Sequence, residues 1–170
     1  EGHGLEYGDA VMRSATVPLG WIIGCPLLGL ISDRIGRRKP VIISASLVLL
    51  ACLIWILYGK TGVLPPYSVG LVAGIASGAA MLPYTVIKEA NPQQFGGTAT
   101  GVINFLNFSF SALLAPVFSW ALQSVFGGVS RMELEYYQTV FSSFLYVVAI
   151  VIALTFVLRE TGFAVRRMTP

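Results

Sequence analysis

The chain alternates between long apolar segments and short polar or charged links. Five apolar segments are each long enough, at 1.5 Å rise per residue, to cross a hydrocarbon core of about 30 Å as a helix. Runs of this length are typical of membrane helices rather than of strands. We therefore predict an all-α, polytopic membrane protein with five transmembrane helices, at about residues 10–32, 40–58, 66–88, 96–126 and 136–159.

The composition agrees with a membrane protein. Only 11% of the residues are charged, while 55% are apolar. A soluble domain usually carries about 25% charged residues, spread along the chain. Here the basic residues lie at the ends of predicted spans, so membrane orientation explains the net charge of +3 better than nucleic-acid binding does. We expect the lipid bilayer as a partner and no nucleic acid.

The distribution of Lys and Arg predicts the orientation. If the turn Asp33–Lys39 is cytoplasmic, so are the loop around Lys88 and the tail after Leu158. These three regions hold eight Lys and Arg residues, whereas the opposite side holds three. Short loops rich in Lys and Arg stay in the cytoplasm. The predicted location is the cytoplasmic (inner) membrane, with the N-terminus of the chain outside and its C-terminus in the cytoplasm.

Glycines recur at a spacing of four residues inside three of the spans. Such small residues allow two helix backbones to approach each other closely within a bilayer. The spacing therefore predicts close helix packing at three sets of positions: Gly20 with Gly24; Gly70 with Gly74 and Gly78; and Gly97 with Gly101.

The first link carries the most specific pattern. It reads G-x-x-x-D-R-x-G-R-R and lies between two uncharged segments of about twenty residues each. This pattern resembles the cytoplasmic-loop signature of the major facilitator superfamily of secondary transporters. The resemblance implies a conformational role, rather than contact with a substrate, for Gly29, Asp33, Arg34, Gly36, Arg37 and Arg38.

Asp33 is in an unfavourable place for an acid. A carboxylate at the C-terminal end of a helix faces the negative end of the helix dipole. We expect a compensating charge, either a cation of the same loop such as Arg37 or the positive N-terminus of a neighbouring helix. In the family that the loop resembles, the acid at this position helps to hold the cytoplasmic side closed.

A second segment sets the register within that family. Lys88–Pro92, followed by G-x-A-x-G-x-x-N at Gly97–Asn104, resembles the link between the tenth and eleventh helices. The resemblance implies helices eight to twelve of a twelve-helix fold, with helices two to six as the competing register. The chain is then part of the C-terminal half of a transporter. Its partner is the missing N-terminal helices of the same protein, and we expect no transport from the fragment alone.

The resemblance also implies the function of the intact protein. It would move a small polar solute by secondary active transport, through alternating access around a site near the middle of the membrane. Proton symport is the common mode among bacterial members. No predicted span contains an acidic residue, so the coupling residue is expected in the missing helices. The solute class stays open between sugars, organic acids, inorganic anions and drugs.

The fourth span is the most polar, and it supplies the candidate substrate pathway. Asn104 and Asn107 are three residues apart and therefore share one helix face. An amide inside the hydrocarbon core needs a hydrogen-bond partner, either on a neighbouring helix or in a hydrated solute cavity. The sequence leaves both alternatives open. Met81 and Tyr84 share a face near the cytoplasmic end of the third span, where they either line the same cavity or pack.

Other kinds of function lack the residues that they need. The chain has no Ser/His/Asp set, no paired carboxylates at depth and no phosphate-binding glycine loop followed by Lys. We therefore expect no enzyme activity, no cofactor and no metal site. The alternative function is a subunit of a membrane channel or of a membrane-embedded assembly, and a channel requires a ring of like side chains.

Overall fold

The computed structural model describes residues 6–59, 65, 67–126 and 134–162, and within them the fold is all-α. The third predicted span is built from two helices joined by a short 3₁₀ turn, and a second 3₁₀ turn precedes the fourth span. The elements are α1 Tyr7–Ile35, α2 Lys39–Tyr58, α3 Ser68–Ser77, the 3₁₀ turn Gly78–Met81, α4 Leu82–Ala90, the 3₁₀ turn Gln93–Phe95, α5 Gly96–Phe126 and α6 Leu134–Val157.

Four helical segments in the described part of the chain are long and apolar enough to cross a membrane. They are Tyr7–Ile35, Lys39–Tyr58, Ser68–Ala90 and Gln93–Val117. In α6 the apolar stretch Phe141–Val157 is shorter, and its crossing of the membrane stays a prediction. The helix ends fall within one turn of the predicted ends of the spans. The all-α fold of a multi-pass membrane protein is thus confirmed.

The third span is interrupted because Pro83 has no backbone N–H. A regular helix would place the N–H of residue 83 on the carbonyl of Ala79. The N–H of Leu82 bonds to that carbonyl instead, which gives the tighter 3₁₀ pattern over Gly78–Met81. The interruption lies where the span turns from packing against α1 to packing against α5, while the first turns of α2 pack against both the 3₁₀ turn and α4.

The helices α1 and α3 are packed backbone against backbone. A Cβ added to Gly20 would come within 2.9 Å of the Cα of Gly74, and a Cβ on Gly74 would come equally close to the Cα of Gly20. One turn further along, a Cβ on Gly78 would lie 2.8 Å from the Cα of Gly24. The predicted close packing is confirmed for these two glycine sets, which leave no room for a larger residue.

The glycines of α5 behave differently. A Cβ added to Gly97 or to Gly101 would meet no atom within 4 Å in the described part of the chain. The same spacing that joins α1 to α3 therefore joins α5 to none of the described helices.

The buried core lies at the end of the molecule where α1 ends and α2 begins. It joins the first turns of α2 to the 3₁₀ turn and α4, and Leu28 of α1 packs against it. The buried side chains of this cluster are Val41, Ile42, Ala45, Ala79, Leu82 and Val86. This core supports the charged residues that follow.

Candidate functional site

Charged and polar residues gather at one end of the helices, where α1 ends, α2 begins, α4 leads into α5, and the chain leaves α6. We call this region the basic end and define it as residues 32–39, 88–96 and 159–162. Because these segments are far apart in the sequence, only the packing of the helices brings them together.

Gly36 reverses the chain between α1 and α2. Its φ of 70° lies in the left-handed region that favours glycine, and its N–H bonds to the carbonyls of Ser32 at 2.9 Å and Asp33 at 3.2 Å. The chain needs only one further residue, Arg37, before Arg38 occupies the N-cap of α2. The turn thereby brings Arg38 back beside the last turn of α1.

Arg38 forms the centre of the basic end and is only 6% exposed. Its Nη1 donates to Asp33 Oδ1 at 2.5 Å and to Ser32 Oγ at 3.0 Å. Its Nη2 and Nε donate to the two carboxylate oxygens of Glu89, at 2.7 and 3.3 Å. One guanidinium therefore ties the end of α1 and the end of α4 to the start of α2.

The charges in this cluster offset one another. Asp33 and Glu89 each lie in the last turn of a helix, where a carboxylate faces the negative end of the dipole. The cation between them compensates both. The hydrogen bond with Glu89 is the main cause that raises the pKa of the Arg38 guanidinium, with a further contribution from Asp33 and against the lowering effect of burial. Arg38 is therefore held in its charged form.

The expected partner of Asp33 is a cation of the same loop, such as Arg37, or the N-terminus of a neighbouring helix. A loop cation does pair with Asp33, but it is Arg38 rather than Arg37. The side chain of Arg37 is exposed and forms no hydrogen bond or ion pair within the described residues. The physical reason is the turn at Gly36, which leaves Arg37 outside and brings the next residue against α1.

The helix faces explain how Glu89 reaches this cluster. Leu82, Val86 and Glu89 follow the spacing of one helix face, and the first two are buried in the core. Their burial turns Glu89 toward α1 and α2, and its side chain is only 19% exposed. The apolar residues three and seven positions before Glu89 are the sequence signal for a partly buried position here.

Glu160 also contributes to the basic end, although no local pattern predicts a role for it. Its Oε1 accepts the backbone N–H groups of Arg38 at 2.7 Å and Lys39 at 3.1 Å. In return, Lys39 Nζ donates to the carbonyl of Phe156 in the last turn of α6 at 2.8 Å. These bonds tie the end of α6 to the start of α2.

The remaining residues of the predicted conformational motif make few contacts. Arg34 is exposed, and its side chain has no bond in the described part of the chain. Gly29 has open space where a Cβ would lie. Three of the six motif positions have a visible role: Gly36 makes the turn, and the ion pair joins Asp33 to Arg38.

Two of the four predicted pathway residues meet. Tyr84 OH donates to Asn104 Oδ1 at 2.8 Å, which joins α4 to α5. Asn107 lies one turn further along α5 with its side chain exposed, and its carbonyl accepts the hydroxyl of Ser111. Met81 is 38% exposed. The structure thus gives Asn104 a partner on the neighbouring helix, while Asn107 and Met81 lie on open surface.

Comparison with known families gives one match. A sequence profile of the Major Facilitator Superfamily matches residues 1–116, which include α1 to α4 and most of α5. No curated protein and no solved structure matches the chain. The profile covers more than half of the chain, including the turn with Asp33 and Arg38 and the link that follows Glu89. The chain therefore belongs to the Major Facilitator Superfamily of membrane transporters.

Proposed function

We propose that the intact protein carries a small polar solute across the cytoplasmic membrane by alternating access, and that the basic end is its cytoplasmic gate. The observation that carries this proposal is the buried guanidinium of Arg38, bonded to acids at the ends of two other helices. In the proposed orientation the chain enters from outside, and α6 ends in the cytoplasm.

A buried ion pair suits a device with two states. Removing one partner leaves a charge without compensation in a poorly solvated place, which costs far more than an exposed ion pair contributes. The bond from Arg38 to Glu89 is therefore either formed or exchanged for water and other partners. A helix end held by such contacts favours two discrete arrangements over a continuous range.

The amides of α5 support a hydrated pathway on that helix. Asn104 uses its oxygen for Tyr84 and keeps its NH₂ group for a further acceptor. Asn107 is exposed in the middle of an apolar span, and an amide without a partner in hydrocarbon costs several kcal/mol by transfer scales, about 2–7. In the intact protein this face therefore adjoins water, solute or another helix rather than lipid.

We also propose coupling to an ion gradient by symport. Glu89 lies five residues after Tyr84 on α4, and its carboxylate is bound to Arg38. The coupling acid of this proposal therefore belongs to the N-terminal helices of the transporter. Sugars, organic acids, inorganic anions and drugs are all candidate solutes, and they form the panel of solutes to be tested.

Counterflow in proteoliposomes tests this function. The full-length protein is reconstituted, each solute of the panel is loaded inside, and entry of the same labelled solute is followed. A carrier with alternating access shows saturable uptake that a trans load of solute accelerates. Flux that neither saturates nor responds to the trans load would instead support the channel alternative.

A further inference from the structure

We propose that Glu160 is a positioning residue for the gate: it caps the first turn of α2 and thereby holds Arg38 in reach of Glu89. The inference rests on the proposed function for its meaning in transport. The helix cap itself, which is supplied by a residue that follows α6, depends only on the observed contacts.

The first turn of α2 needs such a cap. The N-cap position is Arg38, whose side chain makes no cap hydrogen bond, and Pro40 in the first turn has no N–H. The N–H groups at the start of a helix have no partner within the helix. Glu160 Oε1 accepts from Arg38 and Lys39, and also from Thr161 at 3.1 Å. A carboxylate is favoured there by the positive end of the dipole and by charge-assisted hydrogen bonds.

The segment that carries Glu160 fits closely on the turn between α1 and α2. Gly162 has a φ of 114°, in the region that favours glycine, and a Cβ on it would come within 3.0 Å of the carbonyl carbon of Gly36. Lys39 Nζ closes the other side through the carbonyl of Phe156. The carboxylate is thus held over the helix end by contacts on both of its flanks.

Loss of the Glu160 cap affects the bonds from Arg38 to its two acids to different extents. Asp33 is five residues away along the same turn, so its contact is local. Glu89 is 51 residues away on α4, and its contact depends on where the first turn of α2 lies. Loss of the cap lets that turn fray. It therefore weakens the bond from Arg38 to Glu89 more than the bond to Asp33.

The first measurement is hydrogen exchange in full-length protein in nanodiscs. In Glu160→Ala, exchange of the Arg38 and Lys39 amides should rise about fivefold, which corresponds to the usual contribution of a helix cap. Glu160→Gln, which keeps an acceptor oxygen, should show a smaller rise. Unchanged exchange in Glu160→Ala would overturn the cap. If Glu160→Ala does not fold, the result from Glu160→Gln decides in the same way.

The second measurement separates positioning from simple stabilisation. Glu160→Gln and Glu89→Gln are combined, and the losses in melting temperature are compared. Because both act through Arg38, the double variant should lose clearly less than the sum of the two single losses. Gln138→Ala is the matched control, since Gln138 ties α6 to the other end of α2 through the carbonyl of Leu57 at 2.6 Å. The loss in melting temperature of Gln138→Ala should be additive with that of Glu89→Gln.

Additive losses for Glu160→Gln and Glu89→Gln would contradict positioning and leave a cap that is only structural. Both readouts need no transported solute. A failure of the transport proposal would therefore leave them unchanged, whereas a failure of the cap would leave counterflow in the parent protein intact.

Discussion

The pairs α1–α3 and α4–α5 both place a glycine-spaced helix beside another helix, yet they are joined in different ways. In the first pair the backbones touch, and Gly20 faces Gly74. In the second pair one side-chain hydrogen bond, from Tyr84 to Asn104, joins the helices, and Gly97 and Gly101 face open space in the described part of the chain.

Glycine spacing therefore allows two helices to approach closely without causing them to do so. The second helix must offer its own small residues at the matching height, as Gly70, Gly74 and Gly78 do for α1. None of the described side chains of α5 is buried. The first pair is therefore a fixed packing unit, while α5 leaves its polar and small residues exposed or half-buried in the described structure.

The largest loss of stability is expected when the contact between α1 and α3 is disrupted. Gly74→Leu forces two backbones apart, and we expect a loss of about 3 kcal/mol in the free energy of unfolding of the full-length protein. Gly101→Leu is the matched control, with an expected loss below about 1 kcal/mol. Unfolding in denaturant measures both. Equal losses would mean that another helix packs on Gly101, and the contrast between the pairs would disappear.

A smaller effect is expected where α4 meets the basic end. Glu89→Gln removes the charge from the two bonds with Arg38, and bonds to charged groups of this kind contribute roughly 1.5–3 kcal/mol. We expect a loss of about 2 kcal/mol. Lys88→Gln changes the exposed neighbour and serves as the control, with almost no loss expected. The same denaturant series compares the two, and a larger loss for Lys88→Gln would be inconsistent with the buried cluster.

The bond between α4 and α5 should contribute less. Tyr84→Phe removes only the hydroxyl that donates to Asn104, and bonds between membrane helices average about 0.6 kcal/mol. Tyr146→Phe, at an exposed position on α6, is the control. A loss well above about 1.7 kcal/mol for Tyr84→Phe would show that α4 and α5 are held more firmly than by one hydrogen bond between membrane helices.

The smallest effect on stability is expected at Asn107. Asn107→Ala should leave the melting temperature of the full-length protein near the parent value, because the side chain is exposed in the described structure. It should raise the half-saturation constant for solute, since the proposal puts this amide on the pathway. Substrate-induced stabilisation at parental strength in Asn107→Ala would remove Asn107 from the binding site.

Local patterns predicted the helices and the first two glycine contacts well, because hydropathy and spacing act within a single segment. The cluster around Arg38 was harder to predict. Choosing between Arg37 and Arg38 required the left-handed turn at Gly36, which decides which cation lies against α1. Glu89 and Glu160 reach Arg38 only through the packing of helices far apart in the sequence. No spacing rule within one segment links them.

The transport rates of Arg38→Ala and Arg37→Ala test whether the basic end is the cytoplasmic gate. In proteoliposomes with a solute that shows counterflow, Arg38→Ala should lower the maximal rate at least about tenfold, equivalent to about 1.4 kcal/mol in the balance of states. Its half-saturation constant should stay within about twofold of the parent, because Arg38 biases conformations without contacting solute. Arg37→Ala should keep the parental rate. A parental rate in Arg38→Ala, or equal losses in both variants, would contradict the gate at the basic end.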